Sequence, residues 1–147
     1  KINFGVGFGR TKPMLRGGYY LHIEPGASFV GGGFWEPNAE DLNRIRKEFE
    51  MDDTEIRAII SDEKFIKTFG KLEGEELKTA PKGFDKTHHA IDLIRKKQYL
   101  VSRSFTDKEV TDKNFKTEVL NTFLGMRPFL DYMSEVLGAN LNGESLY

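Results

Sequence analysis

The chain of 147 residues carries 22 basic and 23 acidic side chains, no cysteine, and a formal charge of −1. Disulfides and thiolate metal sites are thereby excluded, and the charge balance argues against nucleic acid, which is bound largely through a basic excess or stripe. Hydrophobic residues make up 38% and charged residues 31%, the composition of an ordinary globular domain.

No apolar run approaches the ~18 residues of a membrane-spanning helix. The missing cysteines fit a reducing compartment, so a cytoplasmic location is expected. The chain opens at Lys1 without a methionine and directly in a strand-like pattern, which points to a segment upstream.

Residues 2–9 alternate strictly, with Ile2, Phe4, Val6 and Phe8 opposed to Asn3, Gly5, Gly7 and Gly9. Period two predicts a strand whose apolar face packs on the core and whose glycine face presents bare backbone. Residues 18–24 alternate again, setting Tyr19, Leu21 and Ile23 against Tyr20, His22 and Glu24. Pro25-Gly26 signals a turn, and residues 28–35 read as the returning strand of a hairpin. Its triple glycine, Gly31–Gly33, predicts a bulge or a close backbone approach.

The period then changes. Asn38 is a good N-cap, and Leu42, Ile45 and Phe49 recur at helical spacing to about residue 50. A second helix is expected from Asp52 or Asp53 with Ile56, Ile59 and Ile60, and a third over residues 62–69 with Phe65, Ile66 and Phe69. Residues 70–87, punctuated by Gly70, Gly74, Pro81 and Gly83, read as an ordered loop. A short helix capped by Asp85 or Thr87 follows, holding Ala90, Ile91 and Ile94. Residues 98–105 form a strand with Tyr99, Val101, Arg103 and Phe105 on one face. Asp112 opens the longest helix, with the stripe Phe115, Val119, Phe123, Met126, Leu130, Met133 and Leu137 toward the core and a kink at Pro128. Gly138 stops it. Strands early and helices late predict an α+β fold: an antiparallel sheet with an early hairpin, packed by several helices, in a single domain over residues 1–147.

The glycines at 5, 7 and 9 lie inside a strand alternation and not between a strand and a helix, so they are no phosphate-binding loop. Tyr20, His22 and Glu24 share one strand face, where a carboxylate can orient an imidazole as a general base; this is the most chemically competent set in the chain. Arg10, Arg16 and Arg103 can receive an anion. No HxH, HxxxH or HExxH spacing appears, so no metal site is expected, and no GxSxG elbow marks a nucleophile. Phe34 and Trp35 at the hairpin end can stack a planar ligand or close the core.

Three stretches, residues 19–46 (YYLHIEPGASFVGGGFWEPNAEDLNRIR), 67–84 (KTFGKLEGEELKTAPKGF) and 96–105 (KKQYLVSRSF), together resemble the bacterial family catalogued as domain of unknown function 2461. The resemblance runs nearly end to end, but it brings no established reaction. Family members carry an upstream R-x-x-R-D-x-R-F motif that this chain lacks, so the resemblance implies the C-terminal two-thirds of a longer member, with Lys1 just after the motif region. Positions in the recurring motifs are Tyr20, His22, Glu24, Gly31, Gly32, Gly33, Lys82 and Arg103.

Two functional readings follow. In the first, the protein binds an anionic small molecule, or acts on one, with His22, Glu24 and Arg103 as candidate catalytic groups and Tyr20, Gly31, Gly32, Gly33 and Lys82 as candidate ligand contacts. The second is a protein-interaction or structural module without catalysis, in which the same side chains are tied up internally with no cavity. Whether the protein is an enzyme, and with what cofactor, stays open.

Overall fold

A computed structural model describes residues 3–147; Lys1 and Ile2, to which the sequence assigns an upstream junction and the first apolar strand position, lie outside the described residues. Four strands, β1 (Phe4–Gly9), β2 (Gly18–Ile23), β3 (Ser28–Phe34) and β4 (Tyr99–Phe105), form one antiparallel sheet in the order β1-β2-β3-β4. The helices are α1 (Ala39–Met51), α2 (Thr54–Ser61), α3 (Glu63–Phe69), α4 (Ile91–Ile94), α5 (Asp107–Val110) and α6 (Phe115–Leu137). The fold is α+β.

The hairpin joining β2 to β3 is set by its turn residues. Pro25 fixes one backbone angle, Gly26 takes φ +79°, and the Ala27 amide donates to the Glu24 carbonyl at 2.9 Å. The Ser28 hydroxyl then accepts from the Glu24 amide and donates to the Glu24 carbonyl, both at 3.0 Å. Register follows from that turn: His22 stands opposite Phe29, and Phe29 opposite Ser104.

One face of the sheet carries the core. Val30, Phe34, Tyr99, Val101 and Phe105 are buried there, against Ile45 and Phe49 of α1 and against Met126, Phe129, Leu130 and Met133 of α6. Ring edges meet ring faces at Phe34–Phe129 (6.2 Å) and Phe49–Tyr99 (5.7 Å), and the fully buried Tyr99 hydroxyl donates to the Leu93 carbonyl at 2.9 Å. Asn38 caps α1 through the Asp41 amide, and Asp62 caps α3 through the amides of Lys64 and Phe65, as their residue types predict.

Several details depart from the sequence reading. β1 does not bury its apolar face: Phe4 is 55% and Phe8 47% exposed, because β1 is the edge strand and the helical layer lies over β2 to β4. Phe8 meets only the rim of that layer, at 6.1 Å from the Phe123 ring. α6 begins at Phe115 and not at Asp112, whose carboxylate instead accepts from the Asn114 amide. Phe123 within α6 is only half-buried. α5, with its Thr106/Glu109 capping box, is an addition.

Residues 70–87 are irregular but not idle. Glu73 exchanges backbone hydrogen bonds with Leu100 (2.7 and 3.0 Å), the Lys97 amide donates to the Glu75 carbonyl, and the Leu77 amide donates to the Arg95 carbonyl. This segment pairs with β4 at Leu100 and with the residues just before the strand, and places Glu73 beside it. Among the described residues, no helix is long and apolar enough to cross a membrane.

Candidate functional site

With every long helix on one side, the other face of the sheet is open. Its residues follow from register: Tyr20 and His22 from β2, Phe29 and Gly31 from β3, and Leu100, Ser102 and Ser104 from β4. Glu73, bridged to Leu100, joins the same face, and its carboxylate accepts from the Ser102 hydroxyl at 2.7 Å. His22, Phe29, Gly31, Trp35, Glu73 and Ser102 are among the residues that line a groove of about 600 Å³, with Tyr20 beside it.

Glycine shapes this face at two places. Gly5 stands opposite His22, and a Cβ there would run into the Tyr20 phenol, so the missing side chain lets that ring lie across β1. Gly31 is the floor of the groove; a Cβ at this position would sit 3.6 Å from the Phe29 ring, an ordinary contact. Its two neighbours serve other ends. Gly32 faces the helices, where a Cβ would collide with the Met126 sulfur, and Gly33 adopts φ +131° with the Tyr99 carbonyl close beneath it.

His22 is the polar centre. Its Nε2 lies 2.9 Å from Glu24 Oε1, and an ionised carboxylate only accepts, so Nε2–H is the donor. In the neutral ring Nδ1 is then the acceptor, with the Tyr20 hydroxyl at a long 3.5 Å. The imidazole stacks on Phe29 at 5.1 Å and stands beside Tyr20 at 6.1 Å, which restricts its rotation. The arrangement can hold a proton acceptor at a fixed position on the wall of an aromatic groove.

The structure thus brings together Tyr20, His22, Glu24 and Gly31, and leaves the remaining candidates elsewhere. Arg103 does not converge with His22 and Glu24. It stands opposite Val30, on the helix-packed face, where it donates to Thr122 Oγ1 and Glu118 Oε1, both at 3.0 Å, and lies over the Phe105 ring. The parity of β4 dictates this placement, since Arg103 alternates in phase with the buried Tyr99, Val101 and Phe105. Gly32 and Gly33 pack internally, and Lys82 sits on the exposed turn closed by the Phe84 amide and the Pro81 carbonyl. Arg10 pairs with Asp131 and Arg16 with Asp41, so neither reaches the groove. Among the described residues, no arginine lines this groove. Among the described residues, no three His, Asp or Glu side chains gather as a metal would require.

Sequence reasoning missed Glu73, Ser102 and Phe29. Glu73 reaches the site through a backbone bridge from an irregular segment, for which periodicity gives no signal. Phe29 was legible by register, as the residue facing His22 across the hairpin.

No curated protein and no solved structure matches the chain. A family model described as "Conserved hypothetical protein (DUF2461)" matches residues 1–132, nearly the whole length, and the chain belongs to that family.

Proposed function

We propose that the protein binds a small molecule on the open face of its sheet, with His22 as the polar group that meets it. The observation that carries this reading is the groove itself: about 600 Å³, aromatic at Phe29 and Trp35, floored by Gly31, with a histidine on its wall held by Glu24 at 2.9 Å. Ligand pockets combine an apolar lining with a few placed polar groups, and this lining has that composition. A purely structural role would leave the same side chains tied up internally without a cavity.

His22 also supports acid–base chemistry on the bound molecule. Nδ1 accepts a proton, and the Glu24 carboxylate stabilises the imidazolium that results. Both roles need only residues that the hairpin already holds in place.

Native mass spectrometry of the gently purified chain tests the binding. The expected result is a reproducible adduct of small-molecule mass, lost in Gly31→Leu, where a side chain fills the groove floor. A bare wild-type protein contradicts the proposal.

A further inference from the structure

The groove has a charge sign as well as a shape, and we infer that its ligand is an organic cation, a protonated amine or amidinium on a planar body; this rests on the groove reading above. Two features point the same way. The first is the ionic lining. Among the described residues no lysine or arginine lines the groove, whereas Glu73 does, with Ser102 donating to its carboxylate at 2.7 Å. A second carboxylate, Glu24, stands directly behind His22, and a third, Asp107, accepts from the amide of Gly26 at the rim at 2.8 Å. The arginine closest in sequence to these strand residues, Arg103, is on the other side of the sheet and paired with Glu118.

The second feature is aromatic. Phe29 and Trp35 line the groove, and Tyr20 packs on Phe29 at 5.8 Å. Aromatic faces carry negative potential and attract ammonium and guanidinium-like groups, most strongly where water is partly displaced. Carboxylate and ring faces together form a cation receptor. An anion entering the same groove would give up its hydration next to the Glu73 carboxylate, with no ammonium or guanidinium among the described lining residues to compensate.

Trp35 is the sole tryptophan of the chain and is 39% exposed on the groove lining, so its emission reports on binding here, and amide shifts distinguish that from binding in the cleft Trp35 shares with Tyr20 and Phe8. Three nearly isosteric probes, benzamidinium, benzamide and benzoate, differ mainly in charge. Titrated against the full chain by Trp35 fluorescence and backbone amide shifts, benzamidinium should bind about tenfold more tightly than benzamide, a ratio equivalent to ~1.4 kcal/mol, and benzoate should bind most weakly. Glu73→Gln keeps an acceptor for Ser102 but removes the charge, and should bring benzamidinium down to the affinity of benzamide. Equal affinity for benzamidinium and benzamide, any preference for benzoate, or an undiminished benzamidinium affinity in Glu73→Gln overturns the cation assignment while the groove reading stands. Silence of all three probes by both readouts overturns the groove reading and the assignment with it.

Discussion

Consecutive glycines at 31, 32 and 33 are chemically identical and structurally distinct, so alanine at the first and the last should give opposite results. At Gly33 the backbone holds φ +131°, a region L side chains rarely adopt, at a cost of roughly 1–3 kcal/mol. An alanine Cβ there would also strike the Tyr99 carbonyl oxygen and lie 3.0 Å from Leu100 Cα. Both are backbone atoms of β4, so no rotamer change relieves the clash. Separating β3 from β4 adds a cost of the overpacking kind, about 1–3 kcal/mol. The sum, roughly 4 kcal/mol, is a large share of the ~5–15 kcal/mol typical of a domain. At Gly31 the same methyl meets the Phe29 ring and the Val101 carbonyl oxygen, each at an ordinary 3.6 Å, and points into the groove, so stability should change by under ~1 kcal/mol. Urea unfolding followed by far-ultraviolet circular dichroism measures both variants. Equal losses, or a loss below ~1 kcal/mol for Gly33→Ala, would refute the assignment of the two glycines to different tasks.

Phe129→Ala should cost about 3–5 kcal/mol, because the ring is fully buried against Phe34, and Phe123→Ala about half as much, because that ring is half-buried at the rim against Tyr19 and Phe8; unfolding free energies in the reverse order would contradict the packing. The Arg57 guanidinium bonds both oxygens of Asp92, at 2.7 and 2.8 Å, and holds that carboxyl below its ordinary 3.8. A depressed folded value stabilises above pH 3.8 and loses its effect as pH falls through the folded value, so wild type should exceed Asp92→Asn by under ~1 kcal/mol at pH 6, the exposed pair being screened, and the gap should close on acidification. A gap that widens as pH falls would reverse the sign of that linkage. Long-range proton–nitrogen spectra of neutral His22 should show Nε2 protonated and Nδ1 bare; the opposite tautomer would remove Glu24 as the group that orients the ring.

Much of this architecture is written in local patterns. Period two at residues 18–24 and 28–35, together with Pro25-Gly26, specifies the β2–β3 hairpin because turn type and register are coupled. Asn38 and Asp62 are caps by residue type and act as caps in the fold. The wrong partnership of Arg103 with His22 and Glu24 was avoidable. Arg103 alternates in phase with Tyr99 and Phe105, while His22 and Glu24 alternate out of phase with Leu21, so parity already divides them between two faces. The Thr106/Glu109 pair that caps α5 was likewise legible as a short capping-box pattern.

Other features have no local signature. The exposure of Phe4 and Phe8 depends on how far the helical layer extends, which β1 itself does not encode. Glu73 enters the site because its backbone pairs with Leu100 of β4, and backbone pairing of an irregular segment leaves no side-chain period. The candidate site was therefore half visible: the histidine, its carboxylate and the glycine floor came from strand patterns, and the acidic wall came from tertiary structure alone.

A map of backbone amide shifts on addition of benzamidinium shows whether the open face of the sheet is a binding surface. Perturbations should concentrate at His22, Phe29, Gly31, Trp35, Glu73 and Ser102, with α6 undisturbed. Perturbations centred on α6 or elsewhere on the helical layer, or none at all, would contradict that role of the face.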